Sequence, residues 1–225
     1  MTDASQTPNE PFMLHEAYEK LVQACCLYQF MTILDMAYVV NMPGSLNHVR
    51  KVAALLAGNK DQEPGHYLYR FPLAKRSGGN GLRVFVPGEA SRTLWPQADL
   101  DGFVFNNPST MQRYSYSFVY HNLSVTRLCI CAELICRGPH YSLVEMRLSY
   151  DIARTPPRVS LTIDGKPTTV PVIPDCWLFI ERVADGEGTA LWFEVDNATT
   201  YRTSFHRRLS ARLEFITSDT YSEYF

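Results

Sequence analysis

Apolar residues recur at helical spacing over 12–30, where Leu14, Ala17, Tyr18, Leu21, Val22, Cys25 and Tyr28 share a face and predict a first amphipathic helix. Thr32 is placed to cap a short second helix over 33–40, which Asn41, Met42, Pro43 and Gly44 end with a proline and a glycine. Ser45 is the N-cap candidate for a third helix. Its inward stripe is Leu46, Val49, Val52, Ala53 and Leu56, and Asn47, His48, Arg50 and Lys51 face out. The period then shortens: 65–73 and 82–87 read as strands joined by a basic, glycine-rich tip over 74–81. A short helix over 89–95 and a polar connection over 96–112 follow.

From 114 or 115 to 136 the positions of Phe118, Val119, Leu123, Val125, Leu128, Ile130 and Leu134 predict a long, mostly buried helix, stopped by Gly138-Pro139. Strands are expected at 141–151 and 158–163, with a turn at Asp164-Gly165. A hairpin is expected from the apolar runs 176–180 and 190–195 about a turn over 182–189. A closing helix over 201–216 should point Phe205, Leu209, Leu213 and Ile216 inward, with Arg202, Arg207, Arg208 and Arg212 partly outward. Residues 1–11 read as a loose lead-in, and 218–225 suggest no role. The sum is an α+β chain of two parts, 12–96 and 113–217.

Composition adds limits. The chain has 225 residues, 46% of them hydrophobic, enough for a real core. It has neither a signal-peptide pattern nor an apolar run of membrane-spanning length, so a cytoplasmic protein without a membrane partner is expected. Six cysteines show no C-x-x-C spacing and no histidine pair follows at finger spacing, which argues against zinc and for small buried side chains.

Charge is near balance overall, at −2, but not locally. Between Gly44 and Arg92 eight positive residues face three negative ones, a net +5. Helix, short helix, helix and a hairpin with a cationic tip is the order of a winged helix-turn-helix. Asn47, His48, Arg50 and Lys51 on the third helix, and Lys75 and Arg76 on the tip, are then the candidate contacts to double-stranded DNA. The competing reading keeps the fold as a protein-interaction module with a solvated basic tip.

The second half carries acids instead. Asp175 opens one strand of the 176–195 hairpin, and Glu194 and Asp196 close the other, so antiparallel pairing should bring the three carboxylates to one end. Such a group holds a hard cation, or is simply solvated or paired with arginines. His121, a lone histidine, reads as a satisfied packing residue rather than a ligand.

The helical order, the segment His121-Asn-Leu-Ser-Val-Thr-Arg-Leu, the Pro174-Asp175 strand and the Glu194-Val195-Asp196 strand together resemble the replication-relaxation family, across roughly 18–216. That family is encoded by bacterial plasmids and other mobile elements and is associated with plasmid replication. Its Glu-Val-Asp usually continues Arg-Gly-Thr; here Asn197-Ala198-Thr199 keeps only the threonine. The second part is also similar to a restriction-endonuclease-like core, with Asp175 as first carboxylate and Glu194 as second. Asp196 occupies the place of the lysine that such nucleases use to orient the attacking water and stabilise the transition state. Lys166, Arg207 or Arg208 could substitute for it, and Glu133 or Glu145 could add a ligand.

The resemblance implies a DNA-binding protein of a mobile element with a degenerate nuclease-like domain and no certain cofactor. A second copy of the chain or another mobile-element protein is the further partner. The alternatives are a Mg²⁺-dependent endonuclease, with Asp175 and Glu194 as metal ligands and Asp175, Glu194 and Asp196 as catalytic residues, and a non-catalytic scaffold.

Overall fold

Thr32 caps the second helix as its position predicts, and Asp35, not singled out in the sequence, completes the cap. The Thr32 hydroxyl accepts from the Asp35 N–H, while the Asp35 carboxylate accepts from the Thr32 N–H at 2.8 Å, a complete capping box. The computed structural model describes residues 16–58, 67–73, 82–94, 108–111, 113–163, 165–196 and 202–224. Within it α1 spans Glu16–Tyr28, α2 Ile33–Val39 and α3 Leu46–Leu56. Ser45 makes no side-chain cap; a single 3-10 turn over Pro43–Ser45 leads straight into α3. Val49, Val52, Ala53 and Leu56 are buried, and Asn47, His48, Arg50 and Lys51 are exposed, as their spacing required.

Strands β1 (Leu68–Pro72) and β2 (Arg83–Pro87) form an antiparallel hairpin. Met31, between α1 and α2, adds a backbone bridge to Phe85, with N–H to O distances of 3.0 and 2.8 Å. Alternation gives the hairpin two buried faces. Leu68 and Phe85 join the core of the first three helices, and Tyr69, Val84 and Val86 pack with Phe30, Met111, Val119 and Leu123. A 3-10 stretch at Glu89–Leu94 and the short α4 (Pro108–Met111) follow.

Helix α5, Tyr116–Cys136, buries Val119, Leu123, Val125, Thr126, Cys129 and Ile130, whereas Phe118, expected inward, is 45% exposed. Val125, Cys129 and Ile130 lie in the same buried cluster as Leu21, Val22 and Met36 and as Leu148, Cys176 and Leu178. The largest core therefore runs across the connection expected between 12–96 and 113–217. Arg137 at the end of α5 donates to the carbonyls of Tyr38 and Val39 at 3.0 and 2.8 Å, adding to the turn bond that Tyr38 O accepts from the Asn41 N–H and tying α5 to the C-terminus of α2.

A three-stranded antiparallel sheet in the order β3-β6-β7 packs on α5, built from β3 (Tyr141–Leu148), β6 (Cys176–Arg182) and β7 (Gly188–Phe193). The strand expected over 141–151 stops at Leu148, where α6 (Ser149–Ile152) turns the chain. A separate hairpin pairs β4 (Arg158–Ile163) with β5 (Lys166–Pro171). Its second strand is not foreseen, since Pro167 and Pro171 argue against a strand; both are tolerated in a two-stranded ribbon, where every strand is an edge. Gly165, at φ 75°, supplies the left-handed turn between them.

The closing helix α7 (Arg202–Thr217) is present but turned relative to the expectation. Phe205, Leu209, Leu213 and Ile216 are 40%, 40%, 58% and 49% exposed, whereas Ala211 and Phe215 are buried against Val159, Val170 and Val172. Arg212 turns inward with them, its side chain 14% exposed, and pairs with Glu194. The terminal α8 (Asp219–Tyr224), which the sequence left without a role, completes this small core. Tyr221 and Tyr224 pack edge-on to Phe215, and the Tyr224 hydroxyl donates to Thr155 O at 2.8 Å. Of the cysteines, four are buried as expected; Cys131 is exposed and Cys136 half-buried.

The rotation of α7 is tested by a pair of variants. Phe215→Ala should cost about 3–5 kcal/mol in chemical denaturation, and Leu213→Gln, on the outward stripe, no more than about 0.5 kcal/mol. A large loss from Leu213→Gln would restore the inward stripe.

Candidate functional site

Two constellations are built on this frame, one cationic and one mixed. The cationic one is a cleft of about 750 Å³ between α2, α3 and the β1–β2 hairpin. Arg50 and Lys51 enter it from adjacent positions on the exposed face of α3. Arg70 and Arg83 enter from the hairpin because the register pairs Arg70 with Phe85 and Pro72 with Arg83, which puts both arginines on the face that meets the helices. Thr32, Ile33, Leu34, Leu46, Ala54, Leu82 and Phe85 complete the described lining, and none of these residues is acidic. Asn47 beside it accepts from Arg50 at 2.8 Å and so orients that guanidinium. Four cationic side chains share the described lining of one concavity, an arrangement that favours polyanions. Lys75 and Arg76, expected on the tip, lie outside the described residues.

The second constellation gathers His121 from α5, Asp175 just before β6, Glu194 just after β7, and Arg212 from α7. Cys176 pairs with Phe193, so the residues flanking them meet at one end of the hairpin, as the sequence requires. His121 Nε2 lies 3.0 Å from Asp175 Oδ1, and Asp175 Oδ2 accepts the Val195 N–H at 2.7 Å. Glu194 is paired with Arg212 and accepts the Trp192 indole N–H at 3.1 Å. β7 ends at Phe193, so strand alternation does not extend to Glu194 and Asp196; Asp196 is exposed.

Electrostatics follows from these contacts. Burial works against ionisation of Asp175, but the hydrogen bonds from His121 and Val195 and the charges of His121 and Arg212 outweigh it, and its carboxyl is held below the usual range. The Asp175 hydrogen bond raises His121 against the opposing effect of burial, with Glu194 adding to the rise. Burial pushes the Glu194 carboxyl up despite Trp192 and Arg212, and burial also lowers Arg212. A pair in which each partner is shifted towards neutrality is one whose desolvation is only partly offset by mutual attraction.

These donors do not suit a hard cation. Both oxygens of Asp175 are engaged and Glu194 is neutralised by an arginine, where Mg²⁺ needs carboxylate oxygens free to face water and phosphate. Among the described residues no group of three His, Cys, Asp or Glu is placed to hold a metal ion. Glu133 instead accepts from Tyr28 at 2.5 Å, and Glu145 from Arg147 at 2.5 Å. Of the expected lysine substitutes, Arg208 reaches Glu194 through its charge, while the residue in contact is Arg212. His121 is a satisfied histidine, as expected, but satisfied by the carboxylate that the nuclease-like pattern would assign to catalysis.

No family model, no curated protein and no solved structure matches this chain.

Sequence reasoning missed Arg70, Arg83 and Arg212 as site residues. The first two were legible in the hairpin register; the third needed the rotation of α7.

The His121–Asp175 pair predicts a defined pH dependence. His121, raised from 6.5, contributes stability that is fully present below that value and is lost as pH rises through its higher folded value. Asp175, lowered from 3.8, contributes above that value and loses it as pH falls further. Between pH 5.5 and about 8.5, the melting temperature of the wild type should fall more than that of His121→Gln. Parallel profiles would show that the pair is not formed.

Proposed function

We propose that this chain is a DNA-binding protein that engages the phosphate backbone through the outer face of α3 and the cleft beside it, in the manner of a winged helix. The observation that carries this reading is the cleft itself: Arg50, Lys51, Arg70 and Arg83 converge from three elements with no acid among the described lining residues, in a chain of net charge −2. The order α1, bridge at Met31, α2, α3, β1, β2, with the bridge pairing to β2, supports the winged-helix assignment. The resemblance carried by His121 to Leu128, Pro174-Asp175 and Glu194 to Asp196 extends the proposal to a replication-relaxation-like protein of a plasmid or other mobile element.

The part from α5 onwards serves in this reading as a non-cleaving platform that contacts a partner or a second copy of the chain. Asp175 and Glu194 fasten α5, the hairpin end and α7 together instead of holding a metal, which disfavours the endonuclease alternative. Among the described residues no helix is long and apolar enough to cross a membrane.

The test is anisotropy of a labelled duplex over a salt series. Arg50→Ala with Lys51→Ala changes only exposed positions of a helix, to its best former. Affinity should drop, and the slope of log K against log salt should become shallower by about 2. Lys75→Ala with Arg76→Ala should weaken binding in the same sense. Binding that ignores both salt and these substitutions, or no binding by the wild type, would overturn the proposal.

A further inference from the structure

The cationic cleft holds more open apolar surface than phosphate contacts use. Leu34 and Leu82, from the start of α2 and the entry to β2, are 46% and 44% exposed, and both line it together with Ile33, Leu46 and Ala54. Its volume of about 750 Å³ gives room for an organic group, since ligand sites run to about 300–1,000 Å³, and the cleft is open on one side to an extended strand. A base in a duplex keeps both faces stacked on its neighbours and offers a protein only its edge. An unpaired base has flat faces to bury, which aromatic rings, guanidinium planes and apolar side chains receive; the cleft offers the last two. Each nucleotide of a single strand also brings one phosphate beside one base, which matches a cleft lined by both cations and apolar side chains.

We infer that the cleft takes a nucleic-acid strand with an unpaired base, the base against Leu34, Leu46 and Leu82 and the flanking phosphates on Arg50, Lys51, Arg70 and Arg83. This rests on the nucleic-acid reading above and narrows it from duplex to single strand or duplex end. An acidic peptide would satisfy the cations but not the requirement for a flat apolar group. A free nucleotide carries the same chemistry in smaller measure.

The experiment is anisotropy with full-length protein on four probes: a blunt duplex, the same duplex with a single-stranded overhang, the single strand alone, and that strand with abasic sugars at its centre. The wild type should bind the overhang and the strand about tenfold tighter than the blunt duplex, and the abasic strand should lose that advantage. Leu34→Ser with Leu82→Ser, two exposed positions, should abolish the preference for the overhang and the strand over the blunt duplex. A nucleoside monophosphate at equal nucleotide concentration should leave the strand bound; displacement would reassign the cleft to free nucleotides and overturn the inference. Blunt duplex bound as tightly as the strand, with dependence on Arg50 and Lys51, would sink the inference and leave the duplex reading standing. Failure to bind any probe would sink both, and an acidic peptide that displaces the strand would reassign the cleft to protein.

Discussion

Burial of α5 between the helical layer and the three-stranded sheet is the constraint on which the other placements depend. Its inner residues Val125, Cys129 and Ile130 fill the main core from the middle, and its polar contacts fix the neighbours on either side. Thr126 donates to Tyr28 O at 3.2 Å, the Tyr28 hydroxyl donates to Glu133, and Arg137 closes the end of α2. Arg127 reaches Asp35, the acid of the Thr32 capping box. Since Thr32 and Leu34 line the cleft, α5 holds one wall of the cationic site while, through His121, it reaches the Asp175 cluster.

The two sites divide the charge of the molecule in opposite ways. Around Asp175 and Glu194 each acid meets a basic group and a backbone or indole N–H, so the local field is largely cancelled inside the fold. Around α3 the cations gather without acids in the described lining. A partly buried ion pair such as Glu194–Arg212 is weak as a source of stability and better at fixing how elements meet, because breaking it strands a charge. That role suits the join between the hairpin end and α7. An open cationic cleft, by contrast, gains most when an anion arrives.

Much of this was legible in residue order. Periodicity located α1, α2, α3 and α5 because each has a continuous apolar face, and the turn residues located the β6–β7 hairpin and hence the meeting of Asp175 with Glu194. What failed did so for identifiable reasons. In α7 two apolar faces compete, and the face with the larger residues lost: Phe215 and Ala211 fit against Val159 and Val170, and Glu194 required Arg212 on the same side. β5 was hidden by prolines that an isolated ribbon accommodates. The cleft was half visible, since Arg50 and Lys51 follow from helix spacing, but Arg70 and Arg83 join them only through strand register, and Leu34 and Leu82 look like ordinary core residues in one dimension.

The central claim is that the ligand meets the α3 cleft and not the carboxylate cluster. Backbone amide shift mapping by NMR during titration with an overhang-bearing duplex tests it most directly. The largest changes should fall at Arg50, Lys51, Arg70, Leu82 and Arg83, with the amides around His121, Asp175 and Glu194 unmoved. Saturating changes at His121 and Asp175 with a silent cleft would contradict it.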